Sequence, residues 1–315
     1  MSSQPLANTA ETSLSTPKRK RRIDKDTLLG IIFLTPSVIA IGIFVYGFIA
    51  WSMRVSLSDW KGLNPDYTWA GLANYIALMQ DPRFHIDIRN TIIFTVLFMG
   101  GCLLLGLTLA VLLDQGIRGE GIFRSLYLFP MAISFIVTGV VWRWLMNPAQ
   151  GSRMSGLNLL FSQLGLDFLV NQWYTTPTIG IAAIAIPAVW QMSGYTMALY
   201  LGGLRAIPDS LREAARVDGA TEAQLYWYHI LPLMRPITLS ALIILGHTSL
   251  KVFDLIVAIA GKQVALDVPA TYMWTTTYDG NFYSRGASIG IVMLLSVALL
   301  VIPYLFYSLR NEADL

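Results

Sequence analysis

Cysteine is almost absent: Cys102 stands alone in 315 residues, which excludes an internal disulfide framework, a cysteine-based zinc site and an iron–sulfur cluster. Charge is scarce as well, at 13% of residues against the ~25% usual in a soluble domain. The three histidines, His85, His229 and His247, are scattered without metal-ligand spacing, and no H-E-x-x-H occurs. A G-x-x-x-x-G-K-[ST] phosphate loop is missing too, because Gly261-Lys262 is followed by Gln263. These absences argue against a soluble enzyme, a metal centre and ATP hydrolysis by this chain, so neither a catalytic residue nor a bound cofactor is expected. What is present is apolar: 55% of residues are hydrophobic, with a mean hydropathy of +0.56 spread along the chain. The net charge of +3 is concentrated in Lys18–Arg22, a basic block next to an apolar run, which reads as a membrane-flanking anchor and not as a nucleic-acid surface.

A spanning helix needs roughly 20 mainly apolar residues, because lipid cannot satisfy exposed backbone groups. Long charge-poor runs lie at 27–53, 90–113, 125–142, 168–204 and 286–309, with a sixth at 236–260 interrupted by Lys251 and Asp254. The expected fold is therefore all-α, with six transmembrane helices and Pro36 near a bend in the first. The expected organisation is a basic, disordered N-terminus over 1–27, a membrane domain over 28–309 and a short C-terminus over 310–315. With the N-terminus in the cytoplasm, 13 Lys and Arg fall on inner segments and 7 on outer ones, which favours both termini inside a bacterial inner membrane.

Residues 204–235 form the inner loop between the fourth and fifth runs, and they carry internal design. Ser210-Leu211-Arg212-Glu213 and Thr221-Glu222-Ala223-Gln224 each have the spacing of a capping box, and Asp218-Gly219 between them supplies a helix stop. Pro232 and Pro236 mark the exit. The spacing predicts two short helices joined by a tight turn, a rigid knob larger than a linker requires. Small residues at Ala214, Ala215, Gly219 and Ala220 would let a partner approach closely, Glu213 and Asp218 would meet its donors, and Arg205, Arg212 and Arg216 would face lipid headgroups or acidic groups. A helix pair resting on the membrane surface fits the composition equally well.

The stretch EAARVDGATEAQLYWYHILPLMRP, 213–236, resembles the EAA loop of binding-protein-dependent ABC importer permeases, with Glu213-Ala214-Ala215, Asp218-Gly219-Ala220 and Leu231-Pro232 in order after Ile207-Pro208. His229-Ile230 departs from the Val-Thr or Ile-Thr pair more usual there. Gly71–Tyr75 and the run from Leu126 to Pro148 are similar to the maltose-type first permease subunit, and 111–132 with 251–255 look most like glucose or mannose importers. The resemblance implies ATPase coupling through Glu213, Ala214, Ala215, Asp218, Gly219, Ala220 and Pro232. It also implies a second homologous permease, two ATPase subunits that use ATP and Mg, an extracytoplasmic sugar-binding protein and surrounding membrane lipid. Import of an oligosaccharide or of a glycerol-phosphate-type solute is the alternative, and an ATP-independent secondary transporter is a further one.

Ionisable groups at membrane depth read by default as functional or paired. His247, Lys251 and Asp254, at i, i+4 and i+7, are expected on one stripe of the fifth helix, with Lys251 and Asp254 either paired with each other or lining the solute path. On the fourth helix Gln191 and Tyr195 share a face beside Trp190, with Gly194 leaving room. Such a surface suits a sugar, although ordinary helix packing explains it as well.

Overall fold

The computed structural model describes residues 25–313, in which regular structure is helical apart from one isolated antiparallel bridge between Ser58 and Trp69. The basic block at 18–22 and the polar residues ahead of it lie outside the described residues, as do 314–315. The first span, α1 (Lys25–Ile41), continues through a π-helical stretch over Gly42–Gly47 into α2 (Phe48–Ser56). Pro36 lies inside α1 without dividing the span. Among the described residues, those from 25 to 50 form one unit and those from 51 onward form the second.

In the second unit, α3 (Ala73–Met79) leads to α4 (Pro82–Asp114), an uninterrupted helix of 33 residues. It starts eight residues before the apolar run because Asp81 caps it, accepting from the Arg83 amide at 2.9 Å, and Pro82 is preorganised for the first turn. The third run is not one helix. α5 (Glu120–Leu128) and a 3₁₀ turn over Phe129–Ala132 meet α6 (Phe135–Leu145) at 99°. Pro130 cannot donate to the ladder, and Ser134 starts α6 afresh by accepting from the Val137 amide.

After α7 (Gly156–Gln163), the expected fourth span is shortened: α8 covers Gly180–Ala206, and residues 167–175 turn away from it at 96°. The knob comprises α9 (Asp209–Val217), α10 (Glu222–Gln224), a π-helical stretch over Leu225–Ile230 and α11 (Leu231–Leu233). It bends by 65° into α12 (Arg235–Leu250), where Pro236 occupies the first turn. The fifth run then breaks at Lys251 and resumes as α13 (Asp254–Ala260). α14 (Pro269–Trp274) precedes α15 (Tyr283–Ala313), which extends into the segment read as a tail. Three helices are long and apolar enough to cross a membrane unaided, and counting each bent pair as one span brings the total to the six of the expected all-α membrane fold.

Packing centres on α4 against α8. Lipid removes the hydrophobic drive between helices, so close approach by small residues has to supply the attraction. At Gly106 a Cβ would lie 2.2 Å from the Thr196 hydroxyl, and that hydroxyl donates to the Cys102 carbonyl at 2.7 Å. One buried cluster joins Phe94, Phe98, Ile184, Leu255 and Ile259. A second joins Leu109, Leu113, Met197 and Leu204 to Ala215, Leu225 and Ile230, so the knob shares a core with the ends of α4 and α8.

Candidate functional site

The start of the knob departs from expectation. The helix begins at Asp209, directly after Pro208, so Ser210 lies inside the first turn and caps nothing, and the box with Glu213 does not form. Pro208 is extended (φ −59°, ψ 138°) and sets the boundary, while the Asp209 carboxylate complements the amide-rich first turn. The turn that ends α9 is the expected one. Gly219 adopts φ +83°, its amide reaches the Arg216 carbonyl and the Ala220 amide reaches the Ala215 carbonyl, both at 3.0 Å, closing a Schellman motif. Thr221 and Gln224 form a reciprocal capping box.

Two faces result. Ala215, Leu225 and Ile230 are buried against the spans, so Ile230 of the divergent His229-Ile230 pair serves as core. Glu213, Ala214, Asp218 and Gly219 are exposed, with Val217 beside them at 86% exposure, while Ala220 and Pro232 are half-buried. Of the two surroundings expected for the three arginines, the structure places them against acidic groups. Arg212 donates to the Asp114 carboxylate at the end of α4 (2.8 Å) and to the Leu204 carbonyl near the end of α8 (2.9 Å). Arg205 pairs with Glu120 and Arg216 with Glu222.

The expected stripe of His247, Lys251 and Asp254 is also corrected. Lys251 ends α12 in a non-helical conformation and Phe253 (φ −137°, ψ −61°) precedes α13, so the 3.6-residue periodicity is lost between Lys251 and Asp254. No ion pair joins Lys251 to Asp254 among the described residues. Instead both line a cavity of about 180 Å³ with Phe94, Phe98, Phe135 and Thr248. His247, Trp190, Gln191 and Tyr195 are not among its lining residues.

Gln191 has a structural partner. Its side-chain amide donates to the Ile133 carbonyl at 2.6 Å, satisfying a group freed by the break between α5 and α6, while its Oε1 is buried without a partner among the described residues. Trp190 packs on Trp142 with ring centroids 5.9 Å apart. Gly194 makes room for the backbone, not for a solute: a Cβ there would lie 2.0 Å from the Tyr127 carbonyl oxygen. Sequence reasoning missed Phe94, Phe98, Phe135 and Thr248, because a cavity between separate elements leaves no local pattern. It also passed over Gly286-Ala287-Ser288-Ile289-Gly290, which spells G-x-S-x-G. The pattern lies within α15 with the Ser288 hydroxyl on the Ser56 and Ser284 carbonyls, and it lacks the strand-to-helix turn of a nucleophile elbow.

At the end of α4 away from the knob, a polar network closes the bundle. Arg83 pairs with Asp267, donates to Thr275 and lies over the Tyr272 ring at 4.4 Å. Asp81 accepts from Arg285 at 2.7 Å and from the Tyr272 hydroxyl. Burial raises the Asp81 pKa, but the Tyr272 hydrogen bond, the Arg83 amide and the Arg285 charge outweigh it and hold the carboxyl below its ordinary range. Lys262, in the Gly261-Lys262-Gln263 turn, pairs with Asp279 at 2.7 Å and covers the Trp274 ring.

Apolar helices, several of them bent, around a cavity and beside a folded knob describe a multi-pass membrane protein of the permease class. Residues 102–310 match the family described as binding-protein-dependent transport system inner membrane component, and the chain belongs to that family. It is a family of transport permeases and not of enzymes. The chain is 43% identical to a probable ABC transporter permease of Pyrococcus horikoshii, over 90% of this chain and 96% of that protein. A xylose/arabinose import permease of Haloferax volcanii is 35% identical, over 87% of this chain and 86% of the relative. The fold is shared with a chain of a bacterial alginate ABC transporter, solved in complex with an alginate pentasaccharide-bound periplasmic protein. The TM-score is 0.72 at 23% identity, over 88% of this chain and 94% of that one.

Proposed function

We propose that the chain is one permease subunit of an ATP-driven carbohydrate importer of the glucose/mannose type, moving solute by alternating access with both termini in the cytoplasm. The observation that carries this reading is the knob: a capped, Schellman-closed helix pair whose buried face is continuous with the spans, while Glu213, Ala214, Asp218 and Gly219 remain exposed for a partner. An ATPase subunit docks there, a second ATPase serves a homologous permease, and the ATP and Mg are theirs. An extracytoplasmic binding protein delivers the solute, in keeping with the complex crystallised for the alginate transporter.

The pentose importer among the relatives supports a sugar, and the aromatic cavity with Lys251 and Asp254 offers apolar faces together with a donor and an acceptor. The same Lys251, without an ion pair to Asp254, favours a glycerol-phosphate-type anion as the second reading. Uptake into vesicles holding the full complex decides between them: hexose uptake that needs internal ATP supports the proposal, and glycerol phosphate outcompeting hexose selects the second reading. Uptake by this chain alone, driven by an ion gradient, overturns both.

A further inference from the structure

The knob and the spans share an apolar core, but apolar contacts are non-directional and can slide. Among the described residues, the side-chain hydrogen bonds that tie 207–234 to the preceding spans use only Arg212 and Tyr226. Arg212 reaches Asp114 and the Leu204 carbonyl, and the Tyr226 hydroxyl lies 3.5 Å from the same Asp114 oxygen. The Arg212 and Asp114 side chains are 15% and 6% exposed, so solvent and salt screen the pair little. As a source of stability a buried ion pair is a poor choice, since apolar side chains of similar size often do as well. What such a pair supplies is a fixed geometry.

The geometry matters because of where Asp114 is placed. It is the last residue of α4, which runs 33 residues without a break, roughly 50 Å at about 1.5 Å per residue. The other end of α4 carries Arg83 and is capped by Asp81, both held in ion pairs to Asp267 and Arg285. α4 is thus a rod pinned by charge at both ends, one of them on the knob.

We infer that Arg212–Asp114 is the joint through which displacement of the knob is passed to α4 and so to the ionic network at its far end. Both are positioning residues, acting through α4 and not on solute. The inference rests on the importer reading given above.

The test uses the complete importer in vesicles, with both permeases, ATPases and binding protein, and reads solute transported per ATP hydrolysed. The variants are Asp114→Arg, Arg212→Asp, the two combined and Asp114→Asn, with ATPase co-purification as the assembly control. In each single charge reversal that assembles, transport per ATP falls by about tenfold or more, and the combined exchange restores most of it. Asp114→Asn, which keeps the shape and loses the charge, gives an intermediate loss. An assembled single variant with the wild-type ratio overturns the inference, as does an exchange no better than the singles. Failure of both the exchange and Asp114→Asn to assemble also overturns it, since the pair would then serve folding alone. A wild-type complex without ATP-dependent uptake rejects the importer reading itself, before any variant is compared.

Discussion

The knob and the cavity lined by Lys251 and Asp254 are built on opposite plans. The knob is over-determined: a Schellman turn, a capping box, a buried ion pair and a shared core hold about thirty residues in one shape. The cavity lies where regularity is given up, beside the break at Lys251–Phe253, with its charged groups unconstrained by each other. On the proposed reading the contrast is functional: a part that transmits force has to be stiff, whereas a part that lets solute pass has to rearrange.

The largest effect that would break this comparison is expected at Gly219. Proline there cannot adopt φ +83° and removes the amide that closes the turn, so the turn is lost at a cost of about 3 kcal/mol or more, at the centre of the proposed docking face. Gly219→Pro should abolish ATP-dependent uptake and co-purification of the ATPase, and Glu213→Lys should weaken both by charge reversal. Unchanged co-purification and uptake in the two variants would remove the knob from the coupling path.

Next comes the packing that holds the bent spans. Gly194→Ala places a Cβ against the Tyr127 backbone, which cannot rotate away, so a loss of about 1–3 kcal/mol is expected as a lower unfolding temperature in detergent. Gly202→Ala, with open space around it, should hold or raise that temperature and serves as the control. A smaller, functional effect is expected in the cavity. Lys251→Ala or Asp254→Ala should raise the transport KM by about tenfold with ATPase co-purification intact, whereas the same substitutions leaving KM alone would place the solute path elsewhere.

The smallest effect is on pH dependence. Asp81 titrates below its ordinary value in the folded protein, so its stabilisation is complete above the ordinary carboxylate range and is lost as pH falls through the folded value. Thermal unfolding followed downward from neutral pH should therefore show a loss that is reduced in Asp81→Asn. An equal acid loss in both proteins would assign it to other groups.

The knob was legible because its devices are local. Gly219 and the Thr221–Gln224 box lie within a few residues of what they control, and the order EAA, DGA, LP survives in one short stretch. The Ser210 box failed for an equally local reason, since Pro208 in place of Ser210 as the cap moves the helix start by two residues. Six apolar runs were readable from hydropathy, but hydropathy does not register breaks: Pro130 was outweighed by its apolar neighbours, and the break after Leu250 has neither glycine nor proline to announce it. Pairs such as Arg212 with Asp114, 98 positions apart, and Arg83 with Asp267, 184 apart, need the tertiary fold before either partner can be recognised.

The contact between Gly106 and Thr196 has a mechanical corollary. With backbone and hydroxyl already touching, α4 and α8 have no slack between them and must travel as one slab. Under the proposed alternating-access reading, any rocking is then taken up at the breaks in the chain, such as the 99° bend near Pro130, and not between these two helices.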